Sequence, residues 1–545
     1  MQKLTLALIF LLSFFTPRAQ SVPRPKLVVG IVVDQMRWDY LYRYYDRYSA
    51  TGGFKRMLSQ GFSCDNTFIP YTPTVTACGH ASIYTGSVPA INGITGNYWY
   101  DNVANKTVYC TEDSTVTTVG SPTTAGLQSP RNLFVNTLGD ELRLSSNFRG
   151  KVVGVALKDR GSILPAGHSA NAAYWYDSKT GDWITSTFYM TDLPKWVKDL
   201  NAKKLPDVYY KQGWNTMYPI DTYVQSTSDE NNYEGKPYGA DAKKFPYDFS
   251  KFAATKFAAT NYAVLPSTPF GNSFTLEMAK AAVTSEQLGS DAITDLLAVS
   301  FSSIDYVGHA FGPNSIEAED IFLRLDKELG ELLDFLDTKV GKDQYTTFLT
   351  ADHGAAHVPQ FVKDNKMPGG VVNPTTVIDN VNAALKDKFN KTGLVLDISN
   401  YQVELNTRLI ESPSKMQDVK DFVISFMLKQ PGVAMAFEIK DVQTIPLEAT
   451  IRKMIINGYY PSRSGQIQLI LHPQYIEGFL TGGTTHGLWN PYDSHIPLVF
   501  YGWGIKPGKT NRTTYMTDIA ATISALLHIQ MPNGCVGEVI HEAMK

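Results

Sequence analysis

Leu27–Val33 is an apolar run without a polar side chain, and it stops at Asp34. A short run rich in valine and isoleucine is what a strand needs when both faces of its sheet are covered. The design recurs. Lys151–Arg160, Leu296–Asp305 and Tyr345–Gly354 each begin apolar and end in polar or charged groups, and Ile496–Ile505 is a fifth apolar run. Between the runs lie helical patterns. Ile321, Leu325, Leu329, Leu332 and Leu336 recur near helical spacing within Asn314–Gly341, with Asn314 or Ser315 as the cap, and Thr517–Ile529 is a second amphipathic stretch. Strands alternating with helices predict an α/β, doubly wound, mainly parallel sheet. Such sheets bind ligands beyond the carboxyl ends of their strands, where these polar groups fall.

Two stretches break the rhythm. Residues from about 168 to 290 are rich in Tyr, Trp, Asn, Gly and Pro, and are predicted to be a loop-rich insertion. Those from about 360 to 480 carry separate helices, such as Met416–Lys429, and short strands, such as Tyr401–Leu405, and are predicted to be a small α+β insertion. Residues 1–20 hold an apolar run too short to span a bilayer, followed by polar residues. This pattern predicts a signal peptide and export to the periplasm, with the folded domain over 21–545. With 49 basic and 52 acidic residues the net charge is −3, so no electrostatic case exists for nucleic acid or an anionic membrane surface. No stable membrane insertion is expected. Cys64, Cys78, Cys110 and Cys535 allow three full pairings, and spacing does not choose among them.

The strand ends carry the chemistry. "IDYVGHAFGP" places Asp305 and His309 four apart, which one helical turn brings to the same side. "TADHG" adds Asp352 and His353, Asp34 closes the first run, and His486 lies in the Gly/Thr-rich "GGTTHG". Each motif alone has an ordinary explanation as a capping pair or a polar turn. Together they are three carboxylates and three imidazoles, enough for two zinc ions with open positions for substrate. Two zincs about 4 Å apart clamp an in-line displacement at phosphorus.

Such a site needs a nucleophile, and "YTPTVTACGHASIYTGSVP" offers Thr74, Thr76, Ser82 and Thr85. Thr76 precedes small residues in a segment that can start a helix, whose N-terminus favours an anion. Lys158 and Arg160, in "LKDR", form a K-x-R at a strand end, suited to a phosphoryl group and expected to line an open cleft. His80 is expected to make a structural hydrogen bond. His168, His357 and His495 fall outside the ligand count, and the aromatics of "NYWYD" and "AAYWYD" are expected to pack.

Over nearly all of residues 21–545, through "TVTACGH", "GNYWYD", "LKDRGSILPAGH", "DYVGHAFGPNS", "ADHGAAH" and "THGLWNPYDSHIPLVFYGWG", the chain resembles the bacterial, phosphate-irrepressible, zinc-dependent alkaline phosphatases of the PafA type, within the alkaline phosphatase superfamily. The resemblance implies two Zn2+ per chain and hydrolysis of small-molecule phosphate monoesters by a monomer, through a phospho-threonine. It implies that Thr76 is the nucleophile and a metal ligand. Asp34, Asp352 and His353 match the ligands of the zinc that activates its oxygen. Asp305, His309 and His486 match those of the zinc at the leaving oxygen. Asn97 matches a residue that hydrogen-bonds a phosphoryl oxygen, and Lys158 and Arg160 match the pair that marks the monoesterase branch. Cys78, two residues from Thr76, has no assigned role.

Three other functions compete. A nucleotide pyrophosphatase or phosphodiesterase of the same superfamily would share the metals and the threonine but lack the Lys/Arg pair. A sulfatase would need C-x-P-x-R or S-x-P-x-R, and neither occurs. A non-catalytic zinc protein would have lost the nucleophile or a ligand.

Overall fold

The computed structural model describes residues 22–239, 241–253, 260–478 and 480–545. The stretch 1–20, expected to be a signal peptide, lies outside the described residues. In chain order the strands of the main sheet are β1 (Leu27–Val33), β2 (Phe62–Cys64), β3 (Thr118–Val119), β4 (Val152–Ala156), β5 (Ala172–Asp177), β6 (Asp182–Ser186), β7 (Asp295–Phe301), β8 (Tyr345–Thr350), β9 (Leu498–Gly502) and β10 (Gly508–Thr510). They lie in the order β10-β2-β9-β8-β1-β7-β4-β5-β6-β3.

β1 is central and buried along its whole length. It pairs in parallel with β7 on one side and β8 on the other, Val28 standing between Leu296 and Thr346. With β4 and β5 this makes a five-stranded parallel core, the α/β architecture the apolar runs predict. β9 departs from it, being antiparallel to β8. The chain enters β9 from the loop that carries His486, at the carboxyl edge of the parallel strands, so it must run the other way.

The helices that matter for the site are α1 (Thr76–Thr85), α2 (Asp159–Ala166), α3 (Ser303–Phe311) and α4 (Ile316–Leu336). The Ser315 side chain caps α4 by accepting the Ala318 N–H, which satisfies one of the donors a helix start leaves open.

The stretch from about 168 to 290 is more regular than its composition suggests. β5 and β6 within it extend the main sheet, and Phe270–Ser285 is a long helix. Both strands bury tryptophan, Trp175 and Trp183, so aromatic side chains fill the place that aliphatic ones take in β1. Between 360 and 480 an antiparallel sheet runs in the order Val395–Ser399, Gln402–Leu405, Ile467–Leu471, Val433–Glu438. The helices Pro374–Phe389 and Pro413–Met427 pack on it around a core that includes Val381, Leu385, Val423 and Ile467.

The carboxyl ends of β1, β4, β7 and β8 meet along one edge. Asp34 follows β1 directly, Lys158 comes two residues after β4, Asp305 lies in the first turn of α3 after β7, and Asp352 comes two residues after β8.

Candidate active site and metal centre

Val75 is extended, and α1 begins at Thr76. Every residue of this helix is buried, which explains its small side chains. Gly79 shows why one must be glycine: a Cβ there would stand 2.5 Å from Cβ of Asp352. The helix can therefore lie directly on the turn that carries Asp352 and His353. Thr76 Oγ1 is 3.4 Å from His353 Nε2 and 3.4 Å from Lys158 Nζ. Thr74 donates its hydroxyl to the Leu488 carbonyl and Thr85 to that of Ala81. Of the hydroxyls in this stretch, Thr76 is the one these contacts bring to the histidines and carboxylates.

The six expected metal ligands come together. Ligand atoms of Asp34, Asp352 and His353 lie within 4.8 Å of one another, as do those of Asp305, His353 and His486. Asp305 Oδ1 is also 3.1 Å from His309 Nε2 and 3.6 Å from His486 Nε2. The two sets therefore share a wall: the His353 and His486 rings stack at 3.5 Å between centroids.

The imidazoles share one orientation. Nδ1 of His309 is 2.8 Å from the Thr484 carbonyl, Nδ1 of His486 is 2.8 Å from that of Thr74, and Nδ1 of His353 is 3.0 Å from that of Gly354. A carbonyl only accepts, so each Nδ1 carries a hydrogen, and each Nε2 faces the carboxylates, where once deprotonated its lone pair is free for a cation. Histidines that bind metals are oriented this way. Asp34 Oδ1 is buried without a hydrogen-bond partner, an arrangement that costs free energy unless a cation compensates it. The donor set fits a divalent metal.

Charge follows the geometry. Burial pushes the Asp34 carboxyl well above the usual range, and Asp352 adds to it. Burial opposes the charge of Asp305, but His309 and Lys158 outweigh it and hold this carboxyl well below. Burial, with His353 and His309 nearby, keeps His486 well below the ordinary imidazole value, and burial also lowers His353. Burial disfavours the ammonium of Lys158 too, yet Asp305 and Asp34 raise its pKa. Lys158 pairs with two of the three carboxyl groups crowded here, and a bound metal ion would favour the ionised form of all three.

Lys158 and Arg160 differ from the K-x-R of a strand. Lys158 is the N-cap of α2 and Arg160 lies in its first turn. The Lys158 side chain is 2 % exposed, not set in an open cleft, with Nζ 2.7 Å from Asp34 Oδ2 and 2.6 Å from Asp305 Oδ2. Lys158 is itself extended, and the helix begins at the next residue, Asp159. Arg160 Nη1 donates to the Tyr109 hydroxyl at 3.0 Å, and that hydroxyl donates to Asp159. A cavity of about 210 Å³ borders the pair, lined also by Tyr109, Trp175, Tyr176 and Tyr306. Trp175 and Tyr176, two of the aromatics expected to pack, thus also form part of this cavity's wall. Asn97 Oδ1 accepts the Ala77 N–H at 2.9 Å and fixes the start of α1.

Two contacts had little signal in the sequence. Tyr109 reaches Arg160 from a separate hairpin strand, Lys106–Tyr109. His80 does more than hold the Thr76 carbonyl: its Nδ1 is 3.3 Å from Asp352 Oδ2, and its Nε2 is 2.8 Å from Ser300 Oγ. The spacing of four from Thr76 was the only hint. Among the described residues all four cysteines are free thiols. Cys78 donates to the Ile94 carbonyl and is buried in the core beside Thr76.

The model of the type I phosphodiesterase/nucleotide pyrophosphatase family matches residues 28–486. The chain is 54% identical over 529 residues to alkaline phosphatase PhoV of Synechococcus elongatus, covering 96% of this chain and 94% of that protein. It is 53% identical over 537 residues to a Myroides odoratus protein named calcium-transporting ATPase, covering 98% and 97%. Among solved structures, wild-type alkaline phosphatase PafA matches with a TM-score of 0.92 at 48% identity, covering 96% of this chain and 100% of that one.

Proposed function

The chain belongs to the type I phosphodiesterase/nucleotide pyrophosphatase family and, within the alkaline phosphatase superfamily, to the alkaline phosphatases; from that premise we propose how its residues hydrolyse phosphate monoesters. The observation that carries the proposal is the position of Thr76, 1 % exposed where the two ligand sets and Lys158 meet. Asp34, Asp352 and His353 would hold one zinc ion, with Thr76 as a further ligand, and Asp305, His309 and His486 would hold a second. Bound there, zinc would supply Lewis-acid stabilisation of negative charge on the attacking and leaving oxygens.

The chain's own groups do the rest. Thr76 Oγ attacks phosphorus, forming a Thr–O–P bond as the bond to the alcohol oxygen breaks, and the alcohol leaves with a proton. Water then cleaves the phospho-threonine and releases inorganic phosphate. Lys158, Arg160 and Asn97 hold the phosphoryl oxygens. Arg offers a planar fork and Lys a compact charge, a pairing suited to the dianion of a monoester. The pair also favours the phosphatase over a diesterase of the same family, because a diester carries one negative charge fewer.

The name of the Myroides odoratus relative is compatible with this chemistry, since hydrolysis of ATP is itself phosphoryl transfer. No helix among the described residues is long and apolar enough to cross a membrane. Export to the periplasm and action as a monomer belong to the same proposal. Acid quench of the enzyme turning over a labelled aryl phosphate tests it. Label should appear on the peptide containing Thr76 and vanish in Thr76→Ala while the zinc content is unchanged. Label on another residue would refute the assignment.

A further inference from the structure

Gln35 is the residue that follows β1 and Asp34. Its backbone has φ 66°, in the left-handed region, although it is not glycine. A residue with a Cβ enters that region at a cost, and such residues persist where the surrounding structure imposes them, often at functional sites. Gln35 is 3 % exposed, so no loop freedom explains it.

The turn does two things at once. It aims the Gln35 backbone N–H at Asp352 Oδ1, 3.1 Å away. It also sends the side chain back across the site, where Nε2 donates to Asp305 Oδ1 at 2.7 Å. Asp352 belongs to one ligand set and Asp305 to the other. The amide is locked in place from above: a Cβ on Gly308 would stand 1.9 Å from Gln35 Oε1. Gly308 precedes His309 on α3, so a glycine within the metal-binding helix makes room for this side chain.

We propose that Gln35 is a positioning residue that ties the two ligand sets together. Its main chain orients Asp352, and its side chain orients Asp305 independently. The Asp305 carboxylate is thereby gripped from both oxygens, Oδ1 by Gln35 and Oδ2 by Lys158. The inference rests on the reading of these carboxylates as zinc ligands, and it predicts a selective effect. Removing the side-chain amide should weaken zinc at the Asp305, His309 and His486 set and spare the Asp34, Asp352 and His353 set, because the backbone N–H remains.

Gln35→Gly makes the separation cleanly, since glycine adopts positive φ freely and keeps the N–H. The full chain, loaded with zinc, is titrated with a competing chelator. Wild type should release two zinc ions per chain, and failure of that result would refute the two-zinc reading itself. In Gln35→Gly one of the two should bind about 10–100-fold more weakly, the usual effect of losing an outer partner of a metal ligand. The other should keep its affinity. Gly308→Ala should give the same one-site loss with Gln35 still present, because the new Cβ evicts the amide. Gln35→Glu, which fits the same space but sets a carboxylate against Asp305, should weaken that site further. Unchanged affinities in both Gln35→Gly and Gly308→Ala would overturn the proposal. So would equal weakening of both sites, which marks a general structural role.

Discussion

Lys158 Nζ lies 2.6 Å from Asp305 Oδ2, and both side chains are shut away from solvent. An ion pair this deep is costly to break from one side, because the remaining charge has no partner. In the zinc-free protein, Lys158→Ala should therefore lower stability by about 3–5 kcal/mol, measured by chemical denaturation. Zinc should recover most of that loss, since metal charge then neutralises Asp305 and Asp34. Equal stability of variant and wild type without zinc would mean that Lys158 does not serve as the counter-ion.

Arg160 is held by Tyr109, whose hydroxyl accepts from the guanidinium and donates to Asp159. Tyr109→Phe keeps the ring and deletes the hydroxyl. A hydrogen bond of this kind contributes about 0.5–1.5 kcal/mol, so kcat/KM for an aryl phosphate monoester should fall about two- to tenfold. A methyl diester, with less charge for Arg160 to hold, should lose less. An identical loss on both substrates would assign Tyr109 to shaping the cavity.

Zinc binding should depend on pH through His309. Burial disfavours its charged form, but the ion pair with Asp305 prevails and raises its pKa above the ordinary 6.5. For the zinc-free protein the sign is clear. The His309–Asp305 pair contributes stability in full below pH 6.5 and loses it as pH rises through the raised value. Zinc requires the neutral imidazole, so binding at this set must displace a proton until that pH is passed. Affinity there should rise about tenfold per pH unit over that window, read from zinc competition in buffered chelator. A flat profile would show that His309 is not a ligand.

Much of this arrangement can be read without coordinates. An apolar run that ends at Asp34 announces both a central strand and a residue at its active edge, and Asp305 and Asp352 follow from the same logic. Thr76 is marked by the small residues after it, which the close approach of Gly79 to Asp352 requires. What escapes the sequence depends on geometry that spacing does not encode. The left-handed turn at Gln35 carries no glycine to betray it. The ion pairs of Lys158 with Asp34 and Asp305 join residues far apart in the chain, which its place in K-x-R does not encode. Tyr109 meets Arg160 only because a distant hairpin folds across. β5 and β6 were disguised by aromatic residues, which burial between helices and sheet accommodates as readily as valine.

The central claim is that the site holds a doubly charged phosphoryl group with Thr76 poised to attack it. The most direct measurement compares kcat/KM for an aryl phosphate monoester and its methyl diester, in zinc-loaded wild type and in the Lys158→Ala/Arg160→Ala variant at matched zinc content. Wild type should favour the monoester. The variant should lose on the order of 10²–10⁴ on the monoester, from charge-assisted hydrogen bonds of about 1.5–3 kcal/mol each, and much less on the diester. A wild type that prefers the diester, or a variant that keeps the wild-type ratio, would contradict the account and favour a diesterase.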